Sequence, residues 1–133
     1  MKAVLLDTHA WAWSLAGDAR LSALAVKTME GAGTVMVSAI SVFEIGQKVR
    51  LGKWPEMEPF LDRLPELIEA QGGVPLSLTP EICLGAAKLD WAHRDPFDRM
   101  LAATALRHRL ALVSTDEVFD ELKGLDGWIG RVW

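Results

Sequence analysis

The sequence predicts an α/β fold: a mostly parallel sheet of about five strands flanked by helices on both faces. Short apolar runs alternate along the chain with longer segments whose apolar residues recur at helical spacing. Strands that alternate with helices in this way build parallel sheets. No internal repeat, low-complexity tract or linker interrupts the alternation across the 133 residues. We therefore expect one domain, residues 1–133.

The first half of the chain contains two predicted strands and four predicted helices. Ala3–Leu6 is a short apolar run that stops at a polar residue, and Thr34–Ser38 is short and β-branched, so both indicate strands. Helices are expected at residues 9–16, 21–29, 41–51 and 58–71. Glycine follows each of the first three helices, whereas Pro65 lies inside the fourth. We expect a kink there, or two shorter helices.

The second half continues the alternation. Strands are expected at residues 74–78, 111–114 and 128–133, and helices at residues 80–91, 96–110 and 116–123. Pro75 indicates an edge strand or the start of a strand, because proline cannot donate to the ladder. Thr79 before Pro80 and Asp95 before Pro96 each provide an N-cap followed by proline at the first helical position.

The composition excludes several classes of protein. Half of the residues are apolar and 24% are charged, as in ordinary folded domains. No apolar run approaches the roughly 20 residues of a membrane span, and the apolar start ends at Asp7, too early for a secretory signal. We expect a cytoplasmic protein without membrane association. Cys83 is the only cysteine, so an internal disulfide is excluded. We expect Cys83 to be an unreactive residue of the core. The net charge of −4 leaves nucleic-acid binding to local patches and metal ions.

Four acids lie near the predicted strand ends, where α/β folds bind their ligands. Asp7 directly follows the first strand, and Asp116 follows the fourth. Glu44 and Asp98 each lie one turn into a helix that adjoins a strand, so all four are expected to face one region. Each acid also has a purely structural interpretation. Ser41–Glu44 fits a capping box, Asp98 suits the helix dipole, and Asp7 and Asp116 can each cap the next helix.

The segments around these acids resemble those of the PIN-domain nucleases, and closely those of the VapC-type toxins of bacterial toxin–antitoxin pairs. The resemblance extends from Met1 to the final strand and is carried, in order, by Leu5-Leu6-Asp7-Thr8-His9, Ser41-Val42-Phe43-Glu44-Ile45, the segment from His93 to Ala103, and Val113-Ser114-Thr115-Asp116. It implies that the acidic quartet of the family falls on Asp7, Glu44, Asp98 and Asp116. It also implies an RNA substrate, a homodimer, and a cognate antitoxin whose tail covers the site.

Clustered carboxylates repel one another unless a cation neutralises them. Oxygen ligands favour Mg²⁺ or Mn²⁺ over zinc, and such an ion polarises a phosphoryl oxygen and activates water. We expect Asp7 and Asp98 to be the principal metal ligands, and Glu44 and Asp116 to complete the shell directly or through water. The expected function is metal-dependent hydrolysis of RNA phosphodiester bonds by a toxin.

Several neighbouring residues have two interpretations each. Thr8 and Thr115 are either donors to the site or local caps. His9 and His93 either contact phosphate or have ordinary surface roles, and His108 is expected at a solvated helix end. The remaining candidates are aromatic or basic, namely Trp11, Trp13, Lys48, Arg50, Lys53 and Trp54.

Trp11 and Trp13 are expected on different faces of one helix, one in the core and one exposed to a partner. The basic segment that ends at Trp54 suits single-stranded RNA. Equally, it is a solvated helix end with one packed tryptophan.

Four other functions fit parts of the pattern. A housekeeping PIN nuclease would share the chemistry without an antitoxin. A phosphoacceptor domain or a dehalogenase-like phosphatase would need a second acid shortly after Asp7, where Thr8 and His9 stand. A non-enzymatic PIN-like interaction module is disfavoured by the intact quartet.

Overall fold

In a computed structural model that describes residues 2–133, five strands pair in parallel in the order β3-β2-β1-β4-β5. Met1, the first residue of the predicted domain, lies outside the described part. The strands are β1 (Ala3–Leu6), β2 (Thr34–Ser38), β3 (Val74–Leu76), β4 (Ala111–Val113) and β5 (Arg131–Val132). The predicted parallel sheet is confirmed, and Pro75 lies on an edge strand as expected. The last three strands are shorter than predicted.

The described residues form six α-helices and two 3-10 helices. They are α1 (Thr8–Ala16), α2 (Ala23–Gly31), α3 (Ala39–Arg50), the 3-10 helix Pro55–Arg63, α4 (Leu64–Ala70), α5 (Pro80–Lys88), α6 (Pro96–His108) and the 3-10 helix Glu117–Leu122. Residues 58–71, expected as a kinked helix or as two shorter helices, are divided between two helices, which is the second of these alternatives. Pro59 lies inside the 3-10 segment, and Pro65 lies in the first turn of α4, where a missing N–H costs nothing.

Two hydrophobic clusters cover the two faces of the sheet. Val4 and Leu6 belong to the cluster that contains Trp11 and Ile45, whereas Leu5 belongs to the cluster that contains Leu101. This alternation follows from the two-residue period of a strand. Cys83 is half-buried, not fully buried as expected. No helix in the described residues is long and apolar enough to cross a membrane.

The position of β1 determines where the fold can place a site. The chain builds β2 and β3 on one side of β1, and then β4 and β5 on the other. The carboxyl ends of β1 and β4 therefore form the switch point at which such sheets bind ligands. Leu6 lies opposite Val113 in the parallel register, and the backbone N–H of Asp7 donates to the Val113 carbonyl at 3.0 Å.

Candidate metal centre

A cleft of about 400 Å³ opens at this switch point, and all four predicted acids line it. Asp7 comes from the β1–α1 junction, Glu44 from α3, Asp98 from α6 and Asp116 from the turn after β4. Asp7 and Glu44 are buried, each with 6% of its surface exposed, whereas Asp98 is half-buried and Asp116 is exposed. Four distant parts of the chain thus bring carboxylates to one concavity. We call it the acidic cleft.

Asp7 is the most perturbed of these groups. Its pKa is raised from 3.8 to about 6, mainly by burial and to a smaller extent by the charges of Asp98 and Glu44, while hydrogen bonds from Ser114 and the backbone of Ala10 oppose the rise. The Ala10 bond, 2.7 Å to Oδ1, is also the N-cap of α1. Asp7 therefore has both of the roles that the sequence allowed: it caps a helix and faces the other acids.

Glu44 does not have the structural role that the sequence suggested. α3 begins at Ala39, because the Ser38 hydroxyl accepts from the Ile40 N–H at 3.1 Å, so Ser41–Glu44 forms no capping box. The Ser41 hydroxyl is instead buried and hydrogen-bonded to Thr8 at 2.9 Å, which ties α3 to the start of α1. Glu44 lies deeper in α3 and pairs with Lys48, whose Nζ is 2.6 Å from Oε2.

Asp95 and Asp98 have different partners although both lie in the cleft wall. Asp95 accepts the Asp98 N–H at 3.0 Å and caps α6. Asp98 lies inside the helix and its Oδ2 is 2.6 Å from Nε2 of His93. Burial raises the pKa of Asp98; His93 opposes that rise, and the charges of Asp95 and Asp116 add to it. His93 therefore contacts a predicted ligand, a role that the sequence did not indicate.

The Asp95 cap gives a testable difference in stability. Asp95→Ala should lower the free energy of unfolding by about 1 kcal/mol, because one N–H at the start of α6 loses its acceptor. Asp95→Asn should lose only a few tenths of a kcal/mol, since asparagine caps almost as well. Urea unfolding of the three proteins measures both values. Equal losses for the two variants would show that the carboxylate contributes through its charge and not as a cap.

The acids bind protein donors in this structure. Asp116, whose Oδ1 accepts the Val118 N–H at 3.0 Å, caps the 3-10 helix Glu117–Leu122. Within residues 2–133, no three carboxylate, imidazole or thiol groups lie close enough together to hold one metal ion as the side chains stand. Thr115 is exposed and forms part of the cleft wall.

Arg99 is a positioning residue that the sequence did not reveal. Its guanidinium donates to four backbone carbonyls at 2.6–3.0 Å, those of Ala86, Leu89, Trp91 and His93. These bonds take up carbonyls at the end of α5 and beyond, which explains why that helix stops at Lys88 and not at Trp91 as predicted. An arginine next to Asp98 was the only signal in the sequence.

The structure shows which tryptophan of α1 is in the core and whether Trp54 is packed or exposed. Trp11 is fully buried and its indole N–H donates to Gln71 at 3.1 Å, whereas Trp13 is half-buried at the surface. Trp54 is buried, with His9 stacked on it at a ring separation of 4.6 Å. The packed-tryptophan interpretation is therefore correct for Trp54. His108 is exposed in the last turn of α6, as expected.

Comparison with known proteins identifies the family to which the chain belongs. Residues 4–125 match the model of the PIN domain family. The chain is 35% identical over 117 residues to "Ribonuclease VapC22" of Mycobacterium tuberculosis, covering 87% of this chain and 88% of that protein.

Two solved structures share the fold at low identity. VapBC2 from Rickettsia felis, bound to a promoter DNA fragment, has a TM-score of 0.67 at 15% identity, with 98% of both chains covered. VapC20 of Mycobacterium tuberculosis, described as a sarcin-ricin loop cleaving toxin, has a TM-score of 0.60 at 17% identity, covering 92% of this chain and 97% of that one. The chain belongs to the PIN-domain family, and within it to the relatives of the VapC ribonucleases.

Proposed function

We propose that this protein is a Mg²⁺- or Mn²⁺-dependent endoribonuclease and the toxin of a toxin–antitoxin pair. The observation that carries the proposal is the convergence of Asp7, Glu44, Asp98 and Asp116 on one cleft at the switch point of the sheet. The relative at 35% identity is named a ribonuclease, which supports the same reaction.

The donor set fits a hard divalent cation. All four groups offer oxygen, the ligand that Mg²⁺ and Mn²⁺ prefer. The mutual repulsion that helps to raise the pKa of Asp7 is the electrostatic condition that a cation relieves. Asp7 and Asp98 would be the principal ligands, with Glu44 and Asp116 completing the shell directly or through water. A bound ion supplies Lewis-acid polarisation of the phosphoryl oxygen and a more acidic water.

The protein's own residues then orient the reactants. Glu44 and Asp116 flank the cleft from opposite elements, so either can accept a hydrogen bond from the attacking water and align it with the phosphorus. A cation bound by these carboxylates would compete with Lys48 for Glu44 and with His93 for Asp98. Lys48, once released, is a cation free to meet a phosphate oxygen of the substrate.

The partners follow from the same proposal. The antitoxin would cover the acidic cleft, and the active toxin would be a cytoplasmic homodimer. Relatives that share the fold were solved as assemblies, such as the toxin–antitoxin complex from Klebsiella pneumoniae, with a TM-score of 0.59 at 17% identity.

The decisive experiment measures RNA cleavage with and without metal. Cleavage should stop in EDTA and return with Mg²⁺ or Mn²⁺, because the carboxylates alone cannot stabilise the transition state of phosphodiester hydrolysis. Undiminished cleavage in EDTA would exclude the mechanism.

Expression in a bacterial host separates the toxin from the housekeeping nuclease. A toxin should arrest growth when expressed alone, and co-expression of the product of an adjacent short gene should relieve the arrest. Normal growth at confirmed expression, together with metal-dependent cleavage in vitro, would favour the housekeeping nuclease.

A further inference from the structure

The acidic cleft continues into a second concavity of about 300 Å³. His9, Trp13 and Lys48 line both, so the two form one groove. Beyond these shared residues, the second concavity is lined by Arg20, Lys53, Trp54 and Glu56. We call this part of the groove the basic furrow.

One end of the groove is lined mainly by acidic side chains and the other mainly by basic ones. The acidic cleft has five carboxylates against the single cation of Lys48, whereas the basic furrow has three cations against the single carboxylate of Glu56. In a protein of net charge −4, this is a local reversal of sign next to the candidate metal centre. A phosphate backbone is attracted to such a patch and repelled by bare acids, so the furrow favours one path of approach.

Not every cation in the furrow is equally available. Lys48 is paired with Glu44, and Arg20 donates through Nε and Nη2 to Asp18. Lys53 is exposed and makes no ion pair in the described part of the chain. Lys53 is therefore the furrow cation best placed to bind an incoming phosphate.

The aromatic residues of the furrow form a fixed platform beneath His9. Trp54 is buried below it, with the two rings stacked at 4.6 Å and 29°, and Trp13 lies against it at 5.6 Å. Lys48 covers the Trp54 ring at 5.6 Å. Trp54 is thus not available to a base, but it holds the exposed His9 ring in place. A ring that is already ordered loses little entropy when a base stacks on it.

We propose that the basic furrow binds the single-stranded RNA adjacent to the scissile bond, with a nucleobase stacked on His9 and a backbone phosphate bound by Lys53, joined by Lys48 once Glu44 releases it. The inference rests on the proposed ribonuclease function and adds where the substrate strand lies. Stacking and phosphate contacts do not distinguish one base from another. The furrow therefore contributes to the affinity for RNA and to the position of the strand, but not to base preference.

Binding of a fluorescein-labelled oligouridylate of about ten nucleotides, followed by anisotropy in EDTA, tests the furrow without cleavage. His9→Ala should weaken binding about tenfold, and His9→Phe, which keeps a stacking ring, should restore most of it. Lys53→Met should weaken binding about threefold and reduce the slope of log affinity against log salt by about 0.7, the loss of one phosphate contact.

Two variants provide matched controls. His108→Ala removes an exposed imidazole at the far end of α6, ten residues and about 15 Å along the helix from Asp98. Lys88→Met removes an exposed lysine at the end of α5. Both should bind the oligouridylate like the parent protein.

The outcomes separate the furrow from the ribonuclease proposal. If His9→Ala and Lys53→Met bind the probe like the controls, RNA binding in the basic furrow is wrong, even where RNA is cleaved. The same conclusion follows if the parent protein does not bind the probe at low salt. If His9→Phe binds as weakly as His9→Ala, stacking on His9 is wrong. If the two variants lose affinity as expected while no RNA is cleaved with Mg²⁺ or Mn²⁺, RNA binding by the basic furrow is supported and the ribonuclease proposal is contradicted.

Discussion

Asp7→Asn should abolish RNA cleavage and at the same time stabilise the metal-free protein above pH 6. The loss of activity follows from the proposed role of Asp7 as a principal ligand. Asparagine keeps an oxygen that can accept the Ala10 N–H, so the cap of α1 remains. The variant removes the buried negative charge and little else.

The gain in stability follows from the direction of the pKa shift. The folded protein holds the Asp7 proton up to about pH 6, whereas the ordinary value is 3.8. The contribution of protonated Asp7 to the free energy of unfolding is therefore fully present below about pH 4 and is lost as the pH rises through 6. At neutral pH the loss amounts to about 3 kcal/mol, which the uncharged asparagine avoids.

Urea unfolding in EDTA at pH 5 and at pH 8 measures this effect. The parent protein should lose stability between the two values, and Asp7→Asn should lose much less. Added Mg²⁺ or Mn²⁺ should then stabilise the parent protein by mass action but not the variant. Asp62→Asn, a change at an exposed aspartate, is the matched control. An inactive Asp7→Asn that is also less stable at pH 8 would contradict this account.

Arg99→Met should lower the free energy of unfolding by about 3 kcal/mol, the largest loss of stability that we expect from a substitution. Methionine preserves the apolar stem but removes all four hydrogen bonds to the carbonyls at and after the end of α5. Lysine should recover less than half of the loss, because a point charge cannot reach four acceptors. The segment that carries His93 would also lose its anchor, so cleavage should fall at temperatures where the variant is folded.

Arg107→Met is the control for this prediction, since Arg107 lies exposed on the same helix. The free energy of unfolding of this variant should stay within about 0.5 kcal/mol of the parent value. A loss of less than about 1 kcal/mol for Arg99→Met would mean that water replaces the guanidinium at little cost.

The sequence was informative where local pattern decides structure. β1 and β2 have the predicted bounds, because a short apolar or β-branched run has few alternatives. The positions of Asp7 and Asp116 followed from β1 and β4 by the rule for parallel sheets. The pairing of Glu44 with Lys48 was also available from the sequence, because the two residues are four apart on one helix.

Contacts between distant segments explain the features that could not be predicted. Ser41 does not form the expected capping box because its hydroxyl is hydrogen-bonded to Thr8, 33 residues earlier. α5 ends early because carbonyls near its end bind Arg99 on another helix. His9 was ambiguous because its partner Trp54 approaches only in the folded chain. Each case depends on a neighbour that no local pattern specifies.

The strand order also has a consequence for biosynthesis. β1 is made first, but it lies at the centre of the sheet and needs β4, which begins at Ala111, to complete one side of the cleft. Asp98 and Asp116 likewise emerge long after Asp7. At roughly 5–20 residues per second, a ribosome takes about 5–20 seconds to pass from Asp7 to Asp116. During that interval the nascent chain has no assembled cleft, so the four acids cannot act together until most of the chain exists.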